Sequence, residues 1–180
     1  TGAAMLKIAM DLLREGKIDD KTAILRQEPN KLDELLHPVF DKKAISNATV
    51  VAKGLPASPG AATGQVVFFA DEAEEWADKG KEVVLVRIET SPEDLKGMNV
   101  ANGILTARGG MTSHAAVVAR GMGKCCVSGA GGVKINYREK TMTVDGKVFK
   151  EGDWISLNGT TGEVYDGKID TIEPELSGNF

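Results

Sequence analysis

The most constraining feature of this sequence is a short strand pattern that runs into two glycines and then into a small, apolar helix pattern. The strand pattern covers residues 103–106, the glycines are Gly109 and Gly110, and the helix pattern extends over about 112–122. Within the helix, residues 115–119 are apolar on every side, which is typical of a helix packed flat against a sheet. The segment therefore predicts an α/β fold.

The rest of the chain divides into a helical leader and a strand-rich domain. Residues 1–48 carry helical signals only, with one helix pattern ending near Pro29 and another before Pro38. From Thr49 onward glycines and β-branched residues dominate, which predicts a domain over 49–168 and a C-terminal linker over 169–180. The chain opens inside a helix pattern without an initiator Met, so we expect it to be part of a longer protein.

Short strands separated by turns are the main elements of the predicted domain. The predicted strands are 50–52, 64–69, 82–86, 103–106, 126–128, 141–144, 154–158 and 163–165. A further helix is predicted to begin at Ser91, because serine is a good cap and Pro92 fits the first helical position. The acidic run over 71–75 is interpreted as helix-start and solvated charge. Three dipeptides predict hairpin turns: Asp145-Gly146, Asn158-Gly159 and Asp166-Gly167.

Charge and cysteine usage exclude several classes of function. The chain has 22 Lys and Arg against 26 Asp and Glu, a net charge of −4, so it lacks the basic excess that nucleic acids and anionic membranes attract. Its longest apolar run is far shorter than the roughly 20 residues of a membrane span. Cys125 and Cys126 are adjacent, which disfavours a disulfide or a metal site and favours a reducing, cytoplasmic location. We therefore predict no nucleic-acid partner, no membrane partner and no metal ligands.

The glycine pair and the start of the following helix form a predicted anion site that contains a histidine. Gly109 and Gly110 can take positive φ and expose their N–H groups, and Thr112 or Ser113 can cap the helix. A free imidazole titrates near about 6.5, so at neutral pH His114 can accept a phosphoryl group and hand it on. A histidine that only caps the helix, or is a partly buried polar group, is the alternative.

Residues 109–120 resemble the phosphohistidine signature of the phosphoenolpyruvate-utilising enzymes. That signature is Gly-Gly-x-Thr-x-His followed by small and aliphatic residues, and every constrained position matches. Residues 55–64 resemble the entry strand of the mobile domain in this family, and residues 158–164 resemble its closing hairpin. The run over 106–129 is most similar to the pyruvate phosphate dikinase branch, although relatives often have Arg at the position of Met111.

The resemblance implies a swivelling β/β/α phosphohistidine domain of a phosphotransferase. It implies that His114 takes the β-phosphoryl group of ATP on a nucleotide-binding domain, while the γ-phosphoryl group goes to inorganic phosphate. It further implies delivery to pyruvate on a pyruvate-binding domain, with Nε2 as the phosphorylated nitrogen. Mg²⁺ and a monovalent cation would be bound mainly by those other domains, and the full enzyme would be a cytoplasmic homodimer. This chain alone would then be a fragment without complete turnover.

Residues near the histidine are assigned supporting or regulatory roles. Arg108 is a candidate for bidentate phosphate binding, and Arg120 is a weaker one. The resemblance adds a regulatory role for Thr112, because plant members are phosphorylated on the threonine two residues before the histidine. Ser113 is the alternative at that step. Four residues are expected to bind phosphate or support the imidazole: Gly109, Gly110, Thr112 and Ser113.

Other functions stay open at this stage. The chain could be the equivalent domain of phosphoenolpyruvate synthase, or of the first enzyme of the sugar phosphotransferase system. In another class, a non-catalytic anion-binding module would keep the fold and the backbone donors without transferring a phosphoryl group.

Overall fold

A computed structural model of the chain describes residues 37–172 and, separately, Lys7. Residues 38–172 form one compact unit. The helices predicted in the leader before residue 37, and residues 173–180 of the predicted linker, lie outside the described residues. The predicted domain limits at 49 and 168 stay predictions, and the compact unit continues on both sides of them.

Thirteen short strands and four helices form the regular secondary structure of the described residues 37–172. The strands are β1 Val39–Phe40, β2 Val50–Lys53, β3 Leu55–Ser58, β4 Ala61–Val67, β5 Val83–Arg87, β6 Gly103–Thr106, β7 Cys125–Ser128, β8 Val133–Asn136, β9 Thr141–Val144, β10 Lys147–Lys150, β11 Trp154–Asn158, β12 Glu163–Asp166 and β13 Thr171–Ile172. The helices are α1 Lys42–Ser46, α2 Ala70–Asp78, α3 Leu95–Val100 and α4 His114–Met122, with a 3₁₀ turn over Pro92–Asp94 before α3.

The central sheet has eight strands in the order β2-β12-β11-β4-β5-β6-β7-β3. Its middle strands β4, β5, β6 and β7 are parallel, and the pairs toward both edges are antiparallel. Because parallel strands place their carboxyl ends at the same edge, the loops after β5, β6 and β7 meet there. This edge carries the candidate site.

Side chains from the two faces of the central sheet pack into two different cores. On one face, Val84, Leu105 and Val127 pack with Met142 and Phe149 of a second, antiparallel sheet of order β10-β9-β8. On the other face, a cluster contains residues of the sheet and of three helices: Val83, Leu85, Ile104 and Cys126 with Ala73, Met98, Ala115, Ala116 and Ala119. The layers are therefore sheet, sheet and helices, which confirms the predicted β/β/α arrangement.

The acidic run belongs to helix α2, an element that was not among the predicted helices. The small side chains of this helix allow close packing, because Ala73 is fully buried and a Cβ on Gly97 of α3 would lie 2.5 Å from the Cα of Ala70. Asp71 and Glu72 fall in the first turn, where the helix dipole favours acids.

Within the part of the chain that is described, no helix is long and apolar enough to cross a membrane.

Two of the three predicted hairpins form, and the third is wrong. Asp145-Gly146 joins β9 to β10 with both residues at positive φ, and the segment after Asn158 joins β11 to β12. Asp166-Gly167 does not return the chain along β12, because β12 already pairs with β11 and β2. Instead the chain is held against β11, where Ser156 Oγ donates to Gly167 O at 2.8 Å, and it continues to β13, which pairs with β1.

Candidate functional site

A cavity of about 300 Å³ lies at the carboxyl edge of the parallel strands. Its walls come from the loop after β5 and from the segment between β6 and α4. These two segments are joined by the backbone, since Arg108 N donates to Ile88 O at 3.0 Å. The lining residues are Glu89, Thr90, Arg108, Gly109, Ser113, His114 and Ala115.

The histidine loop requires one of its two glycines but not the other. Gly109 has φ +106°, a conformation that L side chains rarely adopt, and a Cβ there would lie 2.9 Å from Ser113 Cβ. Its carbonyl oxygen also approaches Gly129 so closely that a Cβ on Gly129 would be 2.6 Å away. Gly110 has neither a positive φ nor any atom within 4 Å of such a Cβ. The positive φ that the sequence allows at both glycines is therefore found at Gly109 and not at Gly110.

Ser113, and not Thr112, caps helix α4. Ser113 has extended backbone angles, and its hydroxyl accepts a hydrogen bond from Ala116 N at 3.3 Å. Thr112 is exposed, and its side chain forms no hydrogen bond with any described residue. The helix ends at Gly123, which takes the left-handed conformation at φ +69°. Of the two predicted caps, Ser113 is therefore the cap, and the Thr112 hydroxyl is not used for capping.

His114 is the first residue of α4 and is half-buried, with its ring held through one nitrogen. His114 Nδ1 lies 2.9 Å from Thr90 Oγ1, a hydrogen bond in which the donor is set by the imidazole tautomer. Nε2 forms no hydrogen bond with a described residue. When Nδ1 carries the proton and donates to Thr90, the lone pair of Nε2 is available for chemistry.

The two arginines near the loop have different roles. Arg108 is exposed and lines the cavity, while its backbone is fixed because Thr106 Oγ1 donates to Arg108 O at 2.8 Å. Arg120 instead donates to two backbone carbonyls, Ala57 O at 2.9 Å and Met111 O at 2.6 Å. These bonds connect the histidine loop to the second half of α4 and to β3, so Arg120 is a structural residue rather than a phosphate ligand.

Thr90 is the site residue that the sequence interpretation missed. It follows β5, which pairs in parallel with β6, so the end of β5 and the histidine loop reach the same edge of the sheet. The available signal was the polar run Glu89-Thr90-Ser91 directly after an apolar strand. Such a run after a parallel strand marks a position where ligands commonly bind.

The cysteines and the acidic residues do not add a further reactive group. Cys125 and Cys126 are free and buried on opposite faces of β7, and burial raises the pKa of each thiol to about 12. Within residues 37–172, no three His, Cys, Asp or Glu side chains form a group that could hold a metal ion. Glu89 is the one carboxylate among the residues that line the cavity.

The region that forms the cavity matches a known protein family. Residues 79–162 match the family described as PEP-utilising enzyme, mobile domain. The matched segment contains β5, β6, α4 and the loops that form the cavity. The predicted resemblance to the mobile domain of phosphoenolpyruvate-utilising enzymes is therefore confirmed.

Curated relatives are similar over the whole chain. The chain is 59% identical to pyruvate, phosphate dikinase 2 of Oryza sativa subsp. japonica, covering 100% of this chain and 20% of that protein. It is 57% identical to pyruvate, phosphate dikinase of Clostridium symbiosum, over 100% of this chain and 21% of that protein. A chloroplastic pyruvate, phosphate dikinase of Mesembryanthemum crystallinum is 59% identical, with 100% and 19% covered. The chain thus spans about a fifth of the length of these relatives.

Part of the chain is similar to solved structures, among them the NMR solution structure of Enzyme I (nEIt). That structure gives a TM-score of 0.34 at 26% sequence identity, covering 49% of this chain and 31% of that one. An overlap of this size bears neither on the fold nor on the site.

Proposed function

Because the chain belongs to the phosphoenolpyruvate-utilising enzymes through their mobile domain, we propose that it carries a phosphoryl group on His114. The observation that supports this most directly is the hydrogen bond between His114 Nδ1 and Thr90 Oγ1. It leaves Nε2 as the nitrogen without a described partner, at the start of a helix and beside an open cavity. A histidine that served only as a helix cap would not need this arrangement, since Ser113 already caps α4.

The proposed transfer uses the lone pair of Nε2. With Nδ1 protonated and donating to Thr90, Nε2 attacks the phosphorus of the donor, a P–N bond forms, and the P–O bond to the leaving group breaks. The leaving oxygen keeps the electron pair of that bond. Reversal at an acceptor returns the lone pair to Nε2. Thr90 is a positioning residue in this step, because it fixes the tautomer and the orientation of the ring.

The surroundings of Nε2 stabilise a phosphoryl group without holding it strongly. The N–H groups of the first turn of α4 and the positive end of its dipole favour an anion by about 0.3–1 kcal/mol when exposed. Arg108 lines the same cavity and supplies the one guanidinium among its lining residues. A carrier must release its group at each end of its path, and such modest stabilisation is consistent with that requirement.

The remaining parts of the reaction are proposed to lie outside this chain. Since the chain spans about a fifth of its dikinase relatives, we assign ATP, inorganic phosphate and pyruvate to nucleotide-binding and pyruvate-binding domains of the same enzyme. Mg²⁺ and the monovalent cation belong with those domains in this proposal, and no step on this chain uses a metal. We further propose that the full enzyme is a homodimer in a reducing, cytoplasmic location. The high identity to dikinases favours this branch over phosphoenolpyruvate synthase and the phosphotransferase-system first enzyme.

The test is covalent labelling of the chain. We expect an acid-labile phosphoryl adduct after incubation with phosphoenolpyruvate, Mg²⁺ and the pyruvate-binding part of the Clostridium symbiosum relative, measured as intact mass before and after acid treatment. His114→Ala should abolish the adduct, whereas His37→Ala is the matched control, because these are the two histidines of the chain. A folded wild-type chain that stays unlabelled would contradict the carrier function and favour the anion-binding module. The chain alone should not form phosphoenolpyruvate.

A further inference from the structure

The loop that carries Thr90 is held in place by a tyrosine from the other sheet. Tyr137 lies in the turn after β8, in the three-stranded sheet, and its hydroxyl oxygen accepts a hydrogen bond from Ile88 N at 2.5 Å. On the other side of the same residue, Ile88 O accepts from Arg108 N at 3.0 Å. Ile88 therefore connects the tyrosine to both segments that form the walls of the cavity.

The ring of Tyr137 is fixed independently of its hydroxyl. Arg87 lies over the ring at 4.6 Å from its centre, and Phe69 packs against it with ring centroids 5.6 Å apart. Arg87 is itself held by Phe68 O, to which its Nη1 donates at 2.8 Å. Removing the hydroxyl oxygen alone would thus leave the ring packed and the Ile88 N–H without its partner.

The next residues after Ile88 are fixed at their far end as well. Asp94 is buried, and its Oδ2 accepts from Ser91 N at 2.9 Å and lies 3.7 Å from Arg87 Nε. The segment between these two anchors is Glu89 and Thr90, and Thr90 Oγ1 is the partner of His114 Nδ1. A shift of Ile88 would therefore move the Thr90 hydroxyl relative to the imidazole.

We propose that Tyr137 is a positioning residue for His114, which acts through Ile88 and Thr90 to hold the imidazole in the tautomer with a proton on Nδ1. This inference deepens the proposed carrier function and rests on it for its biological meaning. These contacts connect the three-stranded sheet to the central sheet. The position of Tyr137 therefore affects the reactivity of His114, although no hydrogen bond between these two residues is described.

The variant that tests the proposal is Tyr137→Phe, which retains the ring contacts. Two readouts are measured on the full 180-residue chain: the imidazole ¹⁵N shifts of His114, which report the tautomer, and the rate at which phosphoramidate phosphorylates His114. Phosphoramidate needs no other domain, because Nε2 attacks its phosphorus and the P–N bond to the departing ammonia breaks. We expect a shift toward mixed tautomers and a rate lower by about three- to tenfold, the effect of one hydrogen bond.

Thr90→Val and the double variant establish the route. If Tyr137 acts through Thr90, the double variant should react no more slowly than Thr90→Val alone. The matched control is Tyr165→Phe, which removes the hydroxyl of a buried tyrosine. That hydroxyl donates to Glu163 Oε2 at 2.9 Å, and Tyr165 does not line the cavity. This variant should leave the tautomer and the rate unchanged. All rates are taken at a temperature at which thermal unfolding shows every variant to be folded.

The possible outcomes are distinct. Unchanged shifts and rates in Tyr137→Phe would overturn the inference, and so would a double variant in which the two losses simply multiply. The failure of the proposed function looks different: His114 would react with phosphoramidate and keep its tautomer, yet take no phosphoryl group from phosphoenolpyruvate and the pyruvate-binding part.

Discussion

His114 has its two ring nitrogens in different environments, and this difference determines what the residue can do. Nδ1 is held by Thr90 Oγ1 at 2.9 Å, while Nε2 forms no hydrogen bond with a described residue. An imidazole held in this way presents one nucleophilic nitrogen in a fixed direction. The residues that fix it come from two loops that are far apart in sequence and adjacent at the sheet edge.

Thr112 provides the first prediction, because it is exposed and does not cap the helix. We propose that its hydroxyl is the regulatory position of the site, where a phosphate would add a charge of about −2. Thr112→Asp should slow phosphorylation of His114 by phosphoenolpyruvate and the pyruvate-binding part, by about three- to tenfold at low salt, because it repels an anionic donor. The rate of adduct formation by mass spectrometry measures this effect.

The control for this prediction is the neutral isostere Thr112→Asn. It should react at close to the wild-type rate, and the gap between the two variants should narrow as salt screens the added charge. Equal rates for the Asp and Asn variants at low salt would show that charge at residue 112 does not affect the histidine.

At the scale of elements, the loop between β6 and α4 depends on the backbone of Gly109. Gly109→Ala should reduce the free energy of unfolding by about 1–3 kcal/mol, because φ +106° is strained for alanine and the new Cβ would approach Ser113 Cβ. It should also slow phosphorylation, because Ser113 precedes His114. Urea unfolding of the variant measures the loss of stability.

Gly110→Ala is a matched control one residue away. A Cβ at Gly110 meets no atom within 4 Å, and the residue has no positive φ, so its stability should change by less than about 0.5 kcal/mol. If both alanine variants lost the same stability, the loop would not have the backbone conformation described here.

The same loop shows how far the sequence alone determines the site. The sequence pattern placed His114 at the start of a helix after a strand, since glycines, a capping serine and apolar helix residues are all local signals. Thr90 was not predictable in the same way, because its contact with His114 depends on which strands pair and in which register. Local patterns do not contain that information.

The secondary-structure elements that local patterns determine were predicted, and those that depend on tertiary contacts were not. The strands at Gly103–Thr106, Thr141–Val144 and Trp154–Asn158 match in full, because a turn residue bounds at least one end of each. Helix α2 was missed because most of its residues are acidic, and the apolar side that is buried at Ala73 is small. The turn at Asp166-Gly167 was misjudged because a dipeptide does not reveal that β12 already has two neighbours.

At the scale of the whole molecule, one lysine connects the small sheet to the helical layer. Lys140, in the turn between β8 and β9, pairs with Glu72 of α2 and lies 3.4 Å from Glu151, which follows β10. Burial raises the pKa of the Glu151 carboxyl, and Glu72 raises it further, whereas Lys140 lowers it. The hydrogen bond to Glu72 raises the pKa of Lys140. The three charges therefore depend on one another.

Lys140→Met leaves the two carboxylates facing each other, so it should destabilise the protein at neutral pH. A carboxyl whose pKa is raised in the folded state stabilises the fold below its unfolded pKa, about 4.3 for Glu, and loses that contribution as pH rises through the folded value. Without Lys140 the pKa of Glu151 should rise further. The stability difference between wild type and variant should thus be largest near about pH 7 and shrink toward about pH 4.

Urea unfolding across that pH range measures the difference, with Lys147→Met as the control. Lys147 pairs with Asp166 at a more exposed position, where a salt bridge contributes little, so its loss should be small and nearly independent of pH over this range. A Lys140→Met deficit that stayed constant from pH 7 to about pH 4 would mean that lost packing, and not exposed repulsion between Glu72 and Glu151, causes it. If the stability difference instead narrows toward about pH 4 as expected, the contact between the two layers depends on charge. Lys140 then stabilises the fold most when both carboxylates are ionised, because it neutralises their repulsion.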